Sequence, residues 1–154
     1  MKKITLLLVA FVFSTNILQA QQKEKAVEKA VLTYIENFFE NKFEPMNAVL
    51  HPRLSKRGLN PNGQINEDLP PNKLKEMMQK KKAFPVSKQQ NKVEDISIFK
   101  NTARAKLITG YPNMKWIEYV TLVKENDKWK LIDVFWEYYP RKKSSKEQKR
   151  RKKN

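Results

Sequence analysis

The chain has 154 residues, which is enough for one domain with its own hydrophobic core. It contains no cysteine, which excludes disulfides, thiol catalysis and lipid attachment through cysteine, and its single histidine excludes a multi-histidine metal site. We therefore expect neither a metal nor a cofactor. The formal net charge of +16 is concentrated at one end, because residues 141–154 carry nine Lys or Arg and one Glu.

Residues 1–20 have the pattern of a secretory signal peptide. Lys2 and Lys3 precede an apolar run over residues 4–13, and the small residue Ala20 suits signal peptidase. The run is too short to span a bilayer comfortably, so an uncleaved anchor is the less favoured alternative. We expect cleavage near Ala20 and a mature protein that is periplasmic or secreted.

Residues 141–154 form a basic tail with no apolar residue, so they cannot contribute to a core. A solvated, disordered end is one interpretation. The other is electrostatic attachment to an anionic envelope surface. We expect no nucleic acid partner, because no aromatic residues lie between the charges to stack on bases.

Residues 21–140 are expected to form the folded domain, and its first part is helical. Over residues 21–42 apolar side chains recur at helical spacing, which predicts a helix. Residues 46–50 predict a short helical turn that is closed by His51-Pro52. Residues 53–69 predict an irregular stretch, and the paired prolines at 70 and 71 predict the start of a helix that reaches residue 82.

Four strands are predicted after the helices, over residues 93–100, 103–110, 114–124 and 128–139. The last two form a hairpin around a polar turn. If Lys124 pairs with Trp129, Trp116 and Trp136 lie on opposite faces of the hairpin. The face that carries Trp116 then comprises Trp116, Glu118, Val120, Leu122, Leu131, Asp133, Phe135 and Glu137. Both faces are largely apolar, so both should be covered.

Five stretches of the chain resemble a known superfamily. They are Tyr34–Phe39, Leu50–Gly58, Lys73–Met78, Glu118–Leu122 and Trp129–Glu137. In this order they are similar to the nuclear transport factor 2-like superfamily, and within it to the bacterial "putative lumazine-binding" branch. The resemblance implies a cone-shaped α+β fold, with N-terminal helices packed on a curved antiparallel sheet of four or more strands. The basic tail lies outside the family pattern.

The resemblance also implies a pocket between the helices and the concave face of the sheet. The candidate ligand-binding residues are Tyr34, Phe38, His51, Trp116, Glu118, Asp133 and Phe135. Tyr34 with Glu118 or Asp133 resembles the tyrosine and carboxylic acid of ketosteroid isomerase. The alternative is that the acids lie near the sheet rim and pair with Lys or Arg, for which Arg104 and Lys106 on the neighbouring strand are available. His51 is either a pocket hydrogen-bonding group or a structural histidine.

Three functions fit these observations. The preferred one is a secreted domain that binds a small apolar or aromatic molecule in the cone without catalysis. The second is an isomerase or dehydratase that uses a pocket carboxylate, tyrosine or histidine. The third is a structural or interaction module localised by its tail. A homodimer through the outer sheet face is expected, because a large apolar outer face is unusual in a monomer.

Overall fold

A computed structural model describes residues 2–60, 62–112 and 114–139, with side chains from residue 19 onward. The basic tail predicted over residues 141–154 lies outside the described residues. In chain order the elements are α1 (Lys2–Glu40), α2 (Phe43–Asn47), β1 (Leu50–Leu59), α3 (Pro71–Gln79), a 3-10 helix (Val86–Lys88), β2 (Lys92–Phe99), β3 (Thr102–Tyr111), β4 (Met114–Glu125) and β5 (Lys128–Tyr138). Within the described part of the chain, no helix combines the length and apolarity needed to cross a membrane.

The first helix is longer than the sequence predicts. It runs through the predicted cleavage point, and from residue 19 onward, where side chains are described, its first buried residue is Val27. It ends at Glu40 because Asn41 adopts a left-handed backbone with φ of 59°. The N–H of Lys42 then donates to the carbonyl of Asn37 at 2.9 Å, which satisfies one of the last free carbonyls of the helix.

The five strands form one sheet in the order β1-β5-β4-β3-β2. The neighbours along β5, β4, β3 and β2 are antiparallel, and β1 runs parallel to β5. The four predicted strands are confirmed, with ends within two residues of those expected. Helices α1 and α3 cover one side of the sheet, and the core lies between these helices and the sheet.

The predicted short helical turn is present as α2, three residues earlier than expected, but strand β1 corrects the prediction of an irregular stretch from residue 53. Pro52 lacks a backbone N–H, but it is tolerated because β1 is an edge strand and its pairing with β5 is irregular between Leu50 and Ser55. The sequence of β1 does not show the usual alternation of apolar and polar residues, because Lys56 and Gly58 occupy buried positions on the inner face. The following loop protects the edge, because Leu69 N–H donates to the Lys56 carbonyl at 2.8 Å.

The register predicted for the final hairpin is correct only near its turn. Lys124 pairs with Trp129 and Leu122 with Leu131, as predicted, but Ile132 is then an extra residue and Thr121 pairs with Asp133. A bulge of one residue moves every later side chain of β5 to the opposite face. The predicted face is therefore wrong beyond the bulge. The outer face holds Asp133, Phe135 and Glu137, and the inner face holds Val134 and Trp136 together with Trp116 and Glu118.

Gly58 lies against Trp136, its partner in the pairing of β1 with β5. A Cβ atom at position 58 would overlap both the indole ring and the carbonyl oxygen of Trp136. Glycine is therefore required for β1 to approach β5 under the indole. This contact explains why a glycine occupies the interior of a strand.

We predict that Gly58→Ala lowers the free energy of unfolding by about 3 kcal/mol, because the new methyl overlaps side-chain and main-chain atoms. In the Trp136→Leu background the cost should be smaller, since the indole overlap is removed. Gly63→Ala is the comparison, because nothing lies within 4 Å of that added Cβ, so it should lose only the roughly 1–2 kcal/mol that a φ of +78° costs a residue with a side chain. Urea unfolding of the single and double variants gives the coupling. Additive costs at positions 58 and 136 would contradict the proposed contact.

Candidate functional site

A buried polar network joins the first helix to two strands that are not neighbours. Tyr34 lies on α1, Lys56 on β1, and Trp116 and Glu118 on β4. The first two and Glu118 are almost fully buried, with 0% of Tyr34, 4% of Lys56 and 1% of Glu118 exposed. Because β5 separates β1 from β4, the Lys56 side chain reaches across β5 to the carboxylate.

The Glu118 carboxylate accepts three hydrogen bonds. Its Oε1 accepts from Lys56 Nζ at 2.6 Å and from Trp116 Nε1 at 3.0 Å. Its Oε2 accepts from the Tyr34 hydroxyl at 2.9 Å, and the Tyr34 oxygen accepts from Lys56 Nζ at 2.5 Å. Each member of the network therefore has a partner, which is what burial of charged and polar groups demands.

The protonation of the network follows from its burial. Burial raises the pKa of Tyr34 well above its usual value, and the negative charge of Glu118 adds to this, so Tyr34 remains a neutral donor. Burial lowers the pKa of Lys56, while the Glu118 carboxylate acts in the opposite direction. The bond of 2.6 Å is the geometry of an ion pair whose charges compensate each other away from water.

A second lysine, Lys81, lies just after α3 and next to this network. Its Nζ lies 3.5 Å from the centroid of the Phe38 ring, and Lys56 Nζ lies 5.6 Å from the same centroid. Partial burial, together with the charge of Lys56, lowers the pKa of Lys81 to about 8, and Glu118 opposes this shift. Asn41 Nδ2 donates to the Lys81 carbonyl at 2.5 Å, which fixes the backbone of Lys81 beside the end of α1.

A continuous row of aromatic rings leads from the network toward the surface. Trp116 contacts Phe39, Tyr111 and Tyr138, with ring centroids 5.5, 6.1 and 6.0 Å away. We call the following set the aromatic row: Phe39, Phe84, Tyr111, Trp116, Trp136 and Tyr138. Its outer end, Tyr138, is 40% exposed. Glu118 fixes the indole of Trp116, so the row has a rigid inner end.

The structure brings four of the seven candidate residues together. Tyr34, Glu118 and Trp116 are joined by hydrogen bonds, and Phe38 lies beside Tyr34 with ring centroids 6.4 Å apart. Whether they contact a ligand stays a prediction. The sequence did not identify Lys56 or Lys81, since buried lysines cannot be told from surface ones without the strand and loop that carry them.

The other three candidates lie elsewhere. His51 Nε2 lies 3.4 Å from Glu125 Oε1 near the hairpin turn, and its Nδ1 accepts from the backbone N–H of Arg53. Asp133 and Phe135 are on the outer face because of the bulge at Ile132. The shared site predicted for Glu118 with these two residues is therefore wrong.

The alternative that the acids pair with Lys or Arg is confirmed for Glu118 and Asp133, but their partners are not Arg104 or Lys106. Asp133 pairs with Arg57 at 2.9 Å, and Glu118 pairs with Lys56. Lys106 instead pairs with Glu94 and Asp95 on β2. In the part of the chain with described side chains, no cluster of three or more His, Cys, Asp or Glu residues has the geometry to hold a metal.

The sequence and the fold both match known proteins. A family model described as "Putative lumazine-binding" matches residues 22–137. The chain belongs to this family. Its predicted place in the nuclear transport factor 2-like superfamily and its cone-shaped α+β fold are thereby confirmed. No curated protein sequence matches the chain.

Several solved structures share the fold of this family member at low sequence identity. A nuclear transport factor 2-like protein of unknown function from Shewanella baltica has a TM-score of 0.68 and 16% identity, over 77% of this chain and 95% of that one. Another such protein, from Silicibacter pomeroyi, has a TM-score of 0.69 and 12% identity, over 78% of this chain and 98% of that one. A ketosteroid isomerase-like protein from Erwinia carotovora atroseptica has a TM-score of 0.57 and 11% identity, over 75% of this chain and 95% of that one. At these identities the similarity concerns the fold.

We predict that breaking the buried ion pair from one side costs about 3–5 kcal/mol of unfolding free energy, because the remaining charge is left uncompensated. Lys56→Met and Glu118→Gln should each show this loss in urea unfolding. The double variant should lose much less than the sum, which gives a large coupling free energy.

The matched control is the outer pair Arg57 and Asp133, both about one-third exposed on their side chains. The cycle of Arg57→Met and Asp133→Asn should give a coupling below about 1 kcal/mol, because water screens this pair. Equal couplings for the inner and outer pairs would contradict the assignment of the inner pair as a buried one.

Proposed function

We propose that this protein binds a small apolar or aromatic molecule against its aromatic row and does so without catalysis. The observation that carries the proposal is the row itself, which runs from the fixed indole of Trp116 to the partly exposed Tyr138. Ligand sites are mostly apolar and aromatic surfaces with a few placed polar groups. The family description and the cone fold support a ligand-binding pocket.

The buried network serves this function as a support. Tyr34, Lys56 and Glu118 bond to one another and are closed to solvent, and Glu118 holds the Trp116 indole in place. A site is more selective when a second layer of hydrogen bonds locks the side chains that touch the ligand. In this proposal the ligand contacts the aromatic row and the network holds Trp116.

The geometry favours binding over acid–base catalysis. In ketosteroid isomerase, an apolar site keeps one carboxylic acid protonated so that it can donate a hydrogen bond. Here Lys56 is bonded to Glu118, which accepts from three donors. His51 and Asp133, the other candidate bases, lie away from this network. The isomerase-like hypothesis therefore has less support than the binding hypothesis.

A neutral probe, 1-naphthalenemethanol, tests the proposal through the fluorescence of the tryptophans. We expect saturable quenching in the wild type, because Trp116 and Trp136 belong to the row. Tyr138→Ala should raise the dissociation constant about two- to tenfold, the amount expected from losing one aromatic contact.

Tyr119→Ala is the matched control, because Tyr119 is also an exposed tyrosine but projects from the opposite face of the sheet. It should leave the affinity unchanged. Absence of saturable binding, or an equal loss in both variants, would show that the aromatic row is not a binding surface.

We also propose a homodimer through the outer sheet face. Tyr119 is 54% exposed there, and Ile117 and Phe135 are partly exposed beside it. Sedimentation equilibrium should show a dimer that Tyr119→Lys weakens at least about tenfold, since a charge would be buried. Val86→Lys, which alters an exposed valine in the 3-10 helix, should leave the dimer intact. A monomeric wild type would contradict the proposal.

Export and envelope attachment are further proposals that rest on the sequence. The intact mass of the protein recovered from its native cells tests cleavage near Ala20. Truncation after Pro140 tests the tail, because it should abolish retention on vesicles of anionic lipid at low salt. Unchanged retention would show that residues 141–154 do not mediate attachment.

A further inference from the structure

The charges around the Phe38 ring do not balance. Two ammonium groups, those of Lys56 and Lys81, lie within 5.6 Å of the ring centroid, while the nearby carboxylate of Glu118 is bonded to Lys56. Among the residues with described side chains, no carboxylate lies within ion-pair distance of Lys81. This region therefore holds one positive charge more than it holds negative charges.

The surplus charge on Lys81 is incompletely stabilised. The face of the Phe38 ring attracts the ammonium, but it supplies no hydrogen-bond acceptor as strong as an oxygen. Partial burial and repulsion by Lys56 act against the charge, and they lower the pKa of Lys81 to about 8. A negatively charged group near Lys81 would stabilise the ammonium and satisfy N–H donors that a ring face bonds only weakly.

Lys81 is positioned next to the aromatic row. Its Nζ lies 5.9 Å from the centroid of the Phe39 ring, and that ring contacts both Tyr111 and Trp116. The backbone N–H of Phe84 donates to the carbonyl of Phe39 on α1 at 2.7 Å, so the segment after Lys81 is held against α1. A molecule whose ring lies on the row can therefore direct a polar substituent toward Lys81.

Resting on the proposed function, we propose that the ligand is an aromatic molecule with an anionic group such as a carboxylate, and that Lys81 binds this group. Lys56 is unsuited to the task, because it is buried and already donates to Tyr34 and Glu118. Lys81 is partly exposed, and among the residues with described side chains its ammonium contacts only ring faces, while Asn41 holds its backbone. Its side chain is thus free to turn from the Phe38 ring to an incoming anion.

Two probes with the same ring system separate the charge from the ring. Wild-type protein should bind 1-naphthoate at least about tenfold more tightly than 1-naphthalenemethanol, the gain expected from a charge-assisted hydrogen bond. Lys81→Met should abolish this preference and leave the affinity for the neutral probe unchanged. Lys81→Arg should retain most of the preference, because it keeps the charge.

Lys82→Met is the matched control, since it removes the same charge from an exposed neighbour. It should leave the preference intact, which excludes attraction by the overall basic charge. Lys81→Gln serves as the second neutral variant, and circular dichroism checks that each variant is folded. In NMR titrations, naphthoate should raise the pKa of Lys81 above about 8, and the neutral alcohol should not.

The outcomes distinguish the inference from the proposed function. Equal binding of both probes to the wild type would overturn the role of Lys81 and leave the aromatic site standing. An equal loss of preference in Lys82→Met and Lys81→Met would also overturn it, because the attraction would then come from net charge. Binding of neither probe would overturn both proposals.

Discussion

The ammonium of Lys56 and the carboxylate of Glu118 meet inside the domain, 2.6 Å apart, from strands that β5 separates. Burying such charges costs several kcal/mol each, so the pair persists only because every oxygen of Glu118 has a donor. These bonds fix the angle of α1 over the sheet through Tyr34 and the orientation of the Trp116 indole. The helix, the two strands and the aromatic row thus share one geometric constraint.

Most of the fold follows from local patterns in the sequence. The helical spacing of apolar residues in α1 is a strong signal, and so are the runs of β-branched and aromatic residues between turn signals in β2–β5. Strand β1 gave no such signal, since Lys56 and Gly58 occupy its inner positions. Its place beside β5 is decided by partners distant in the sequence, chiefly Glu118 and Trp136.

The candidate site could be predicted only in part, for the same reason. Tyr34 and Phe38 lie on the apolar stripe that predicts α1, and Trp116 and Glu118 share one face of β4 as the alternation predicts, but the sequence does not indicate which face of the sheet meets the helices. Asp133 and Phe135 were misplaced, because the pairing at the turn does not reveal a bulge farther along β5. Lys81 belongs to a run of three lysines, and only the packing of the loop against α1 distinguishes it from its neighbours.

The bulge at Ile132 also changes how β5 should be compared with other members of the family. Before Ile132 the odd-numbered residues Trp129 and Leu131 face the helices, and after it the even-numbered residues Val134 and Trp136 do. Matching this strand position by position with a relative that lacks the extra residue would equate interior side chains with surface ones. The face of the sheet on which each β5 residue lies therefore has to be assigned before a functional residue of a relative is matched to this chain.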